Sequence, residues 1–287
     1  MGACAKRNIA LTFMTQRGSF LARVVGEVRG NVTLRKTQYR ISDSLEESNK
    51  IAKNFIIGKI FNERWVIERA VRDYAIRLDT DKLKKASKSL ANSIKLVEQS
   101  ESLDKLRGFE GEAASQYFSV FDDLILQQKE NFYFHSRNKR PPLDNVNAML
   151  SFIYSLLAND VAAALETVGL DPYVGFLHRD RPGRVSLALD MMEELRSVYA
   201  DRFVISLINK REINEKGFIK KENGAVIMDD DTRKIILKAW QDKKQGVITH
   251  PFLQEKLEWG LVPYVQAMLL ARFIRGDLDG YPPFMWK

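Results

Sequence analysis

Residues 44–67 read SLEESNKIAKNFIIGKIFNERWVI, and this stretch decides the fold class. Ser44-x-x-Glu47 has the form of a capping box, which opens a helix. Beyond it Ile51, Phe55, Ile56, Ile60 and Ile67 recur near the helical period. Upstream the pattern is different, because the first thirty residues alternate as strands do. Ile9, Leu11 and Phe13 point one way, Gln16-Arg17-Gly18 makes a turn, and Phe20-Leu21-Ala22-Arg23-Val24-Val25 follows. Two strands alone are marginally stable. Either they join the helical domain as a hairpin, or they belong to a sheet that began earlier. Gly26 to Arg29-Gly30 marks the boundary, dividing the chain into a β segment, 1–30, and a helical domain, 31–287.

Downstream, helical spacing predicts a helix opening after Asp79 or Asp81 and running to about Glu98. Another is expected over 102–128, interrupted at Gly108-x-x-Gly111. Asp144 is placed to cap a helix over 145–167 that Gly169 ends, and Ser186 to cap one reaching about Tyr199. Asn223-Gly224 predicts a β-hairpin over 216–229, and helices over 231–244 and 251–276 complete the chain. The expected class is mainly α: a small N-terminal β part, then a large all-helical domain with a β-hairpin insertion.

With 287 residues the chain has length for a sizeable core. Its one cysteine, Cys4, excludes an intrachain disulfide and agrees with a reducing, cytoplasmic setting. No run of about 18 apolar residues appears, so no membrane span is expected. The formal net charge is +8, and residues 1–80 hold 15 Lys and Arg against 8 Asp and Glu. Such a surplus suits a polyanionic partner, through release of counterions. There is no phosphate-binding GxxxxGK[ST] loop, GxSxG elbow, HExxH or cysteine cluster.

Glu110 lies on one helical stripe with Ala114, Tyr117 and Phe121, so it faces apolar neighbours. A carboxylate there needs a cation, a hydrogen-bond partner or a raised pKa; a Lys or Arg partner meets that need as well as a metal does. His178 ends the apolar run Val174-Gly175-Phe176-Leu177, and Arg179, Arg181 and Arg184 follow it with guanidinium forks suited to phosphate. A satisfied structural imidazole is the alternative. Asp190 and Glu193 sit one turn apart with Ser186 and Ser197, a stripe that on many amphipathic helices simply meets water. Taken together, Glu110, His178 and Asp190 or Glu193 offer oxygens plus one nitrogen, a donor set suited to Mg²⁺ or Mn²⁺ rather than zinc. Such an ion beside arginines would serve phosphoryl transfer on DNA or RNA.

The chain resembles the CRISPR-associated integrase of spacer acquisition, the first-numbered Cas protein, and its subtype I-C members most. The resemblance rests on Arg107-Gly108-Phe109-Glu110-Gly111, on Arg140-Pro141-Pro142-Leu143-Asp144-Asn145-Val146-Asn147 and on Gly175-Phe176-Leu177-His178. It continues in Pro182-Gly183-Arg184-x-Ser186-Leu187-x-Leu189-Asp190-Met191-Met192-Glu193-Glu194, Ala200-Asp201-Arg202-Phe203-Val204 and Gly276-Asp277-Leu278-Asp279-Gly280-Tyr281-Pro282-Pro283-Phe284. It implies an N-terminal β-sandwich and a helical catalytic domain with one metal site. By this likeness Glu110 and His178 are the first two ligands, Glu193 the third, and Asp190 a helper or alternative ligand. Arg107, Arg137, Arg181 and Arg184 are the expected DNA contacts. The resemblance further implies a homodimer and a small ferredoxin-like partner, the second-numbered Cas protein. The implied reaction is attack of a prespacer 3′-hydroxyl on the CRISPR repeat, with nuclease activity on DNA. Family members begin with roughly fifty more residues, most of a domain of ordinary size, so residues 1–30 are expected to be the remainder of a truncated β-sandwich. A stand-alone DNA or RNA nuclease and a non-catalytic DNA-binding assembly subunit are the competing readings.

Overall fold

The computed structural model describes residues 2–7, 11–15, 20–24 and 31–287. A short helix α1 (Gly2–Lys6) precedes strands β1 (Leu11–Met14) and β2 (Phe20–Val24), which pair antiparallel with Leu11 opposite Val24. The expected turn at 16–18 and the boundary at 26–30 lie outside the described residues. The hairpin joins the helical body. Arg23 crosses to the helix Asn145–Val168, pairing with Glu166 at 2.7 Å and donating to the Asn159 carbonyl at 3.3 Å.

α1 is a turn of helix inside the segment expected to be all β, and beyond the hairpin helical structure resumes a dozen residues before Ser44, with α2 (Val32–Asp43). Ser44 then caps α3 (Leu45–Tyr74), its side chain accepting from the Glu47 N–H at 3.3 Å. This helix is the axis of the molecule. It packs on α4 (Thr80–Glu98), α5 (Leu103–Ser119) and α7 (Ser186–Leu195), while α6 (Asn145–Val168) packs on α7 and α10 (Val262–Ile274). Ile51, Ala52, Phe55, Ile56, Ile60 and Ile67 of α3 enter one core with Leu90, Tyr117, Ile153, Met191 and Leu270. Asp79 and Asp144 cap α4 and α6 as expected, and Gly169, at φ 89°, closes α6 in the left-handed conformation that favours glycine.

Several expectations need correction. α5 runs unbroken through Gly108 and Gly111 and stops at Ser119, well short of 128. A Cβ at either glycine would meet nothing, so both sit on the open side, and their propensity cost is outweighed by burial of Leu103, Leu106, Ala113 and Tyr117. Ser186 does not cap α7; it lies buried in the first turn, behind Val185. The α7 helix continues through a π-helical turn (Arg196–Asp201) into α8 (Arg202–Asn209). The hairpin around Asn223-Gly224 forms as β3 (Phe218–Lys220) and β4 (Val226–Met228), and α9 spans Asp230–Gln245. The helix expected over 251–276 begins only at Val262. Ahead of it β5 (Val247–Thr249) and β6 (Lys256–Glu258) form a hairpin, whose loop His250 braces by accepting the Leu253 N–H at 3.2 Å. Strands of three residues are too short to show alternation. The α6 helix is long and apolar enough to cross a membrane by length and composition, but 61% of its most apolar window is buried in the fold, as in a core helix.

Candidate active site

The site forms where α3, α5, α7 and the loop before α7 meet. That loop is held from three sides. Gln38 of α2, fully buried, donates to the carbonyls of Asp171 and Val174 at 2.8 and 2.9 Å, and Ser42 donates to that of Gly175 at 2.9 Å. Arg107 of α5 grips the Leu177 carbonyl with two N–H groups, at 2.6 and 3.1 Å. From below, Asp190 of α7 accepts the N–H groups of Phe176, Leu177 and His178 at 2.6, 2.8 and 3.0 Å. Gly175 makes this approach possible, since a Cβ there would stand 2.8 Å from Asp190 Oδ2. Asp190 Oδ1 also lies 2.5 Å from His178 Nδ1. The carboxylate therefore sets the ring's orientation and leaves Nε2 facing outward.

The stripe Ser186, Asp190, Glu193, Ser197 does not meet water; all four are buried. Glu193 is clamped by Arg196 on Oε1 at 2.7 Å and by Lys59 of α3 on Oε2 at 2.8 Å. The Lys59 ammonium also contacts Glu110 of α5. Glu110 thus has the lysine partner that its place in the sequence allowed. Burial alone would raise the Glu193 carboxyl, but Arg196 and Lys59 outweigh it and bring its pKa to about 2. Lys59 is likewise pushed down by burial, yet Glu193, Glu110 and Glu63 hold it above the usual lysine range. Glu63, one turn along α3, is held up at about 8, first by burial and despite Lys59. Behind Arg196, Asp201 accepts from Tyr154 at 2.5 Å and Tyr117 at 3.2 Å, fixing the π-helical turn.

Glu110, His178 and Glu193 line one open cavity of about 530 Å³, together with Arg107, Lys139, Arg179, Arg181, Arg184 and Arg196. Three expected DNA contacts, Arg107, Arg181 and Arg184, are thus brought together there. Arg137 is not: its guanidinium turns inward to Asn147 Oδ1 at 2.7 Å and Ser151 at 3.1 Å, over the Tyr154 ring. Burial, then the charges of Arg196 and Arg137, hold Lys139 below its ordinary pKa, a crowding of positive charge that an anion would relieve. Among the described residues no three His, Cys, Asp or Glu side chains converge on a single point; Lys59 stands between two of the expected ligands, Glu110 and Glu193. The donor set nevertheless fits a hard divalent ion in kind: two carboxylates already sharing one cation, and an imidazole whose other nitrogen is tied back.

Lys59, Glu63 and Arg196 were not singled out in the sequence, although Lys59 and Glu63 stand four apart inside the apolar pattern of α3. An ionisable pair at that spacing within a buried stretch was the available signal. Asp190→Asn should lower cleavage about 10–100-fold while the fold persists, since the amide nitrogen would face an N–H group and release the imidazole. Unchanged turnover in a DNA-cutting assay would show that His178 needs no such orientation.

The match to known proteins extends over the same residues. A chain from Chlorobaculum tepidum, "CRISPR-associated endonuclease Cas1 1", is 50% identical over all 287 residues and 84% of its own length. Among solved structures, "Casposase bound to integration product" superposes with a TM-score of 0.84 at 24% identity, over 99% of this chain and 77% of that one. The "Cas6-RT-Cas1--Cas2 complex" gives 0.80 at 22% identity, over 100% of this chain and 30% of that one. Both have this fold. The family model "CRISPR associated protein Cas1" matches residues 1–242; with that match and half its residues shared with a named relative, the chain belongs to the Cas1 family.

Proposed function

We propose that this chain is the divalent-metal-dependent endonuclease and strand-transfer subunit of CRISPR spacer acquisition. The observation that carries the reading is the single cavity in which Glu110, His178 and Glu193 meet six basic side chains. Glu110, His178 and Glu193 would hold Mg²⁺ or Mn²⁺, which when bound polarises a phosphodiester and eases deprotonation of the attacking hydroxyl. The protein's own groups do the rest. Asp190 and Arg107 fix the His178 loop. Arg179, Arg181 and Arg184 stand at the mouth, where guanidinium forks bind phosphate oxygens. Lys139 and Arg196, in the same lining, would neutralise charge developing on the phosphoryl group.

A relative named as an endonuclease, and the shared fold of a casposase bound to an integration product, favour DNA as substrate and joining as well as cutting. The Cas1–Cas2 complex of the same fold favours the ferredoxin-like second Cas protein as partner. Residues 1–30 are read as part of a β-domain through which two copies pair, and 31–287 as the catalytic domain. Action on DNA in the cytoplasm, away from membranes, is consistent with the burial of α6.

The test is to mix the chain with purified Cas2, a labelled short duplex and a repeat-bearing plasmid, with Mg²⁺ or Mn²⁺. Covalent joining at the repeat boundary is expected. Cutting without joining would leave a stand-alone nuclease, and neither would leave a DNA-binding subunit. Replacing Arg181 or Arg184 should weaken DNA binding and reduce the salt slope by about 1; an unchanged slope removes that residue from the phosphate contacts.

A further inference from the structure

Lys59 stands where the proposed ion would have to exert its pull. Its side chain is 3% exposed, and its ammonium contacts Glu110 and Glu193 together. A divalent ion binds carboxylate oxygens at about 2.0–2.1 Å for Mg²⁺, so it and an ammonium cannot share the same pair of oxygens. A buried ammonium left without a counter-charge is costly, so a displaced Lys59 needs somewhere to go. One helical turn along α3 is Glu63, also buried, whose Oε2 has no hydrogen-bond partner. Residues four apart on a helix face each other, and Glu63 already acts electrostatically on Lys59.

We propose that Lys59 is an internal cation that changes partners: it bridges Glu110 and Glu193 in the metal-free protein and, when a divalent ion takes those two carboxylates, passes to Glu63, whose carboxyl releases its proton to solvent and becomes the new counter-charge. The idea rests on the metal site proposed above. The metal-free site is thereby spared two facing carboxylates, and the ion enters by exchange with a cation rather than into an open cage. Lys59 is on this account a positioning residue that opposes metal binding, and Glu63 one that favours it.

The experiment is a Mn²⁺ titration of the purified chain without DNA, read by the electron paramagnetic resonance of free Mn²⁺, alongside thermal unfolding in EDTA. Lys59→Met should bind Mn²⁺ roughly tenfold tighter than the unaltered protein, while melting lower in EDTA. Glu63→Gln, which keeps the side chain's shape, should bind several-fold more weakly. In the double variant the Glu63→Gln effect should vanish, since no ammonium remains to be received. Weaker or unchanged binding by Lys59→Met overturns the proposal, as does a Glu63→Gln effect that persists undiminished in the Lys59→Met background. Should Lys59→Met not fold, Glu63→Gln decides alone: affinity equal to the unaltered protein's sinks the exchange. Failure of both the unaltered chain and Lys59→Met to bind Mn²⁺ refutes the metal site itself and this proposal with it.

Discussion

On the proposed function, His178→Ala should abolish Mg²⁺- or Mn²⁺-dependent DNA cleavage and leave DNA affinity nearly unchanged. The loss should reach about a thousandfold or more, because a metal centre contributes several kcal/mol to the transition state. The affinity should persist because the proposed phosphate contacts Arg179, Arg181 and Arg184, which line the same cavity, do not bond to the imidazole. Nor does the loop depend on it. The Phe176, Leu177 and His178 N–H groups bind Asp190 through the backbone, and Arg107 holds the Leu177 carbonyl. Cleavage by a gel assay and binding by fluorescence anisotropy, on one preparation, check both halves. A variant that cuts normally removes His178 from the chemistry; one that loses cutting and binding together makes it a loop residue only.

Glu194→Ala should be strongly destabilising. The Glu194 side chain accepts from Tyr281 at 2.5 Å, from Gln266 at 2.8 Å and from the Phe284 N–H at 2.9 Å. Asn62 of α3 completes the anchor, donating to the Phe284 carbonyl at 2.6 Å and accepting from the Trp286 N–H at 2.9 Å. Gly58 lets the tail come this close, since a Cβ there would stand 3.0 Å from Pro283 and from Glu194. Truncating Glu194 strands two buried donors, the Tyr281 O–H and the Phe284 N–H, while Gln266 keeps Tyr281 and the Pro282 carbonyl as acceptors, at a cost of about 3 kcal/mol. The melting temperature should fall by roughly 10 °C, and the tail from Gly276 should become open to protease. A fall within scatter would mean that the tail is held by its aromatic packing alone. The pH dependence has a definite sign. Burial, opposed by those hydrogen bonds, holds Glu194 at about 7 in the fold against an ordinary 4.5. The fold takes up a proton between those values, so this group's contribution declines as pH rises from about 4.5 to 7. The slope should be shallower, not absent, in Glu194→Ala, since buried Glu63, held at about 8, still takes up a proton on folding.

Much of this was legible in the chain before it was folded. Ser44, Asp79, Asp144 and Gly169 act as helix stops and starts because capping is local: a side chain bonds an N–H three residues away, or a glycine accepts a positive φ. The hairpin at Asn223-Gly224 is local in the same sense. His178 and the two acids of α7 were also readable, since their separation in sequence is a loop and one or two helical turns. Ser186 misled because a cap residue is recognised by type, whereas its use depends on where the chain enters the helix. The β5–β6 hairpin was hidden in three-residue strands, braced by one imidazole.

The amino-acid order by itself determined the helical class, several helix boundaries and the kinds of side-chain donor available, because each follows from interactions within a few residues. Only the tertiary structure decided that Glu110 and Glu193 share Lys59, that Asp190 serves His178 rather than water, and that Arg137 turns inward while Arg181 and Arg184 face the cavity. Those outcomes depend on which helix faces are packed together. Charges buried by that packing must find partners far away in the chain, and no spacing along it says which.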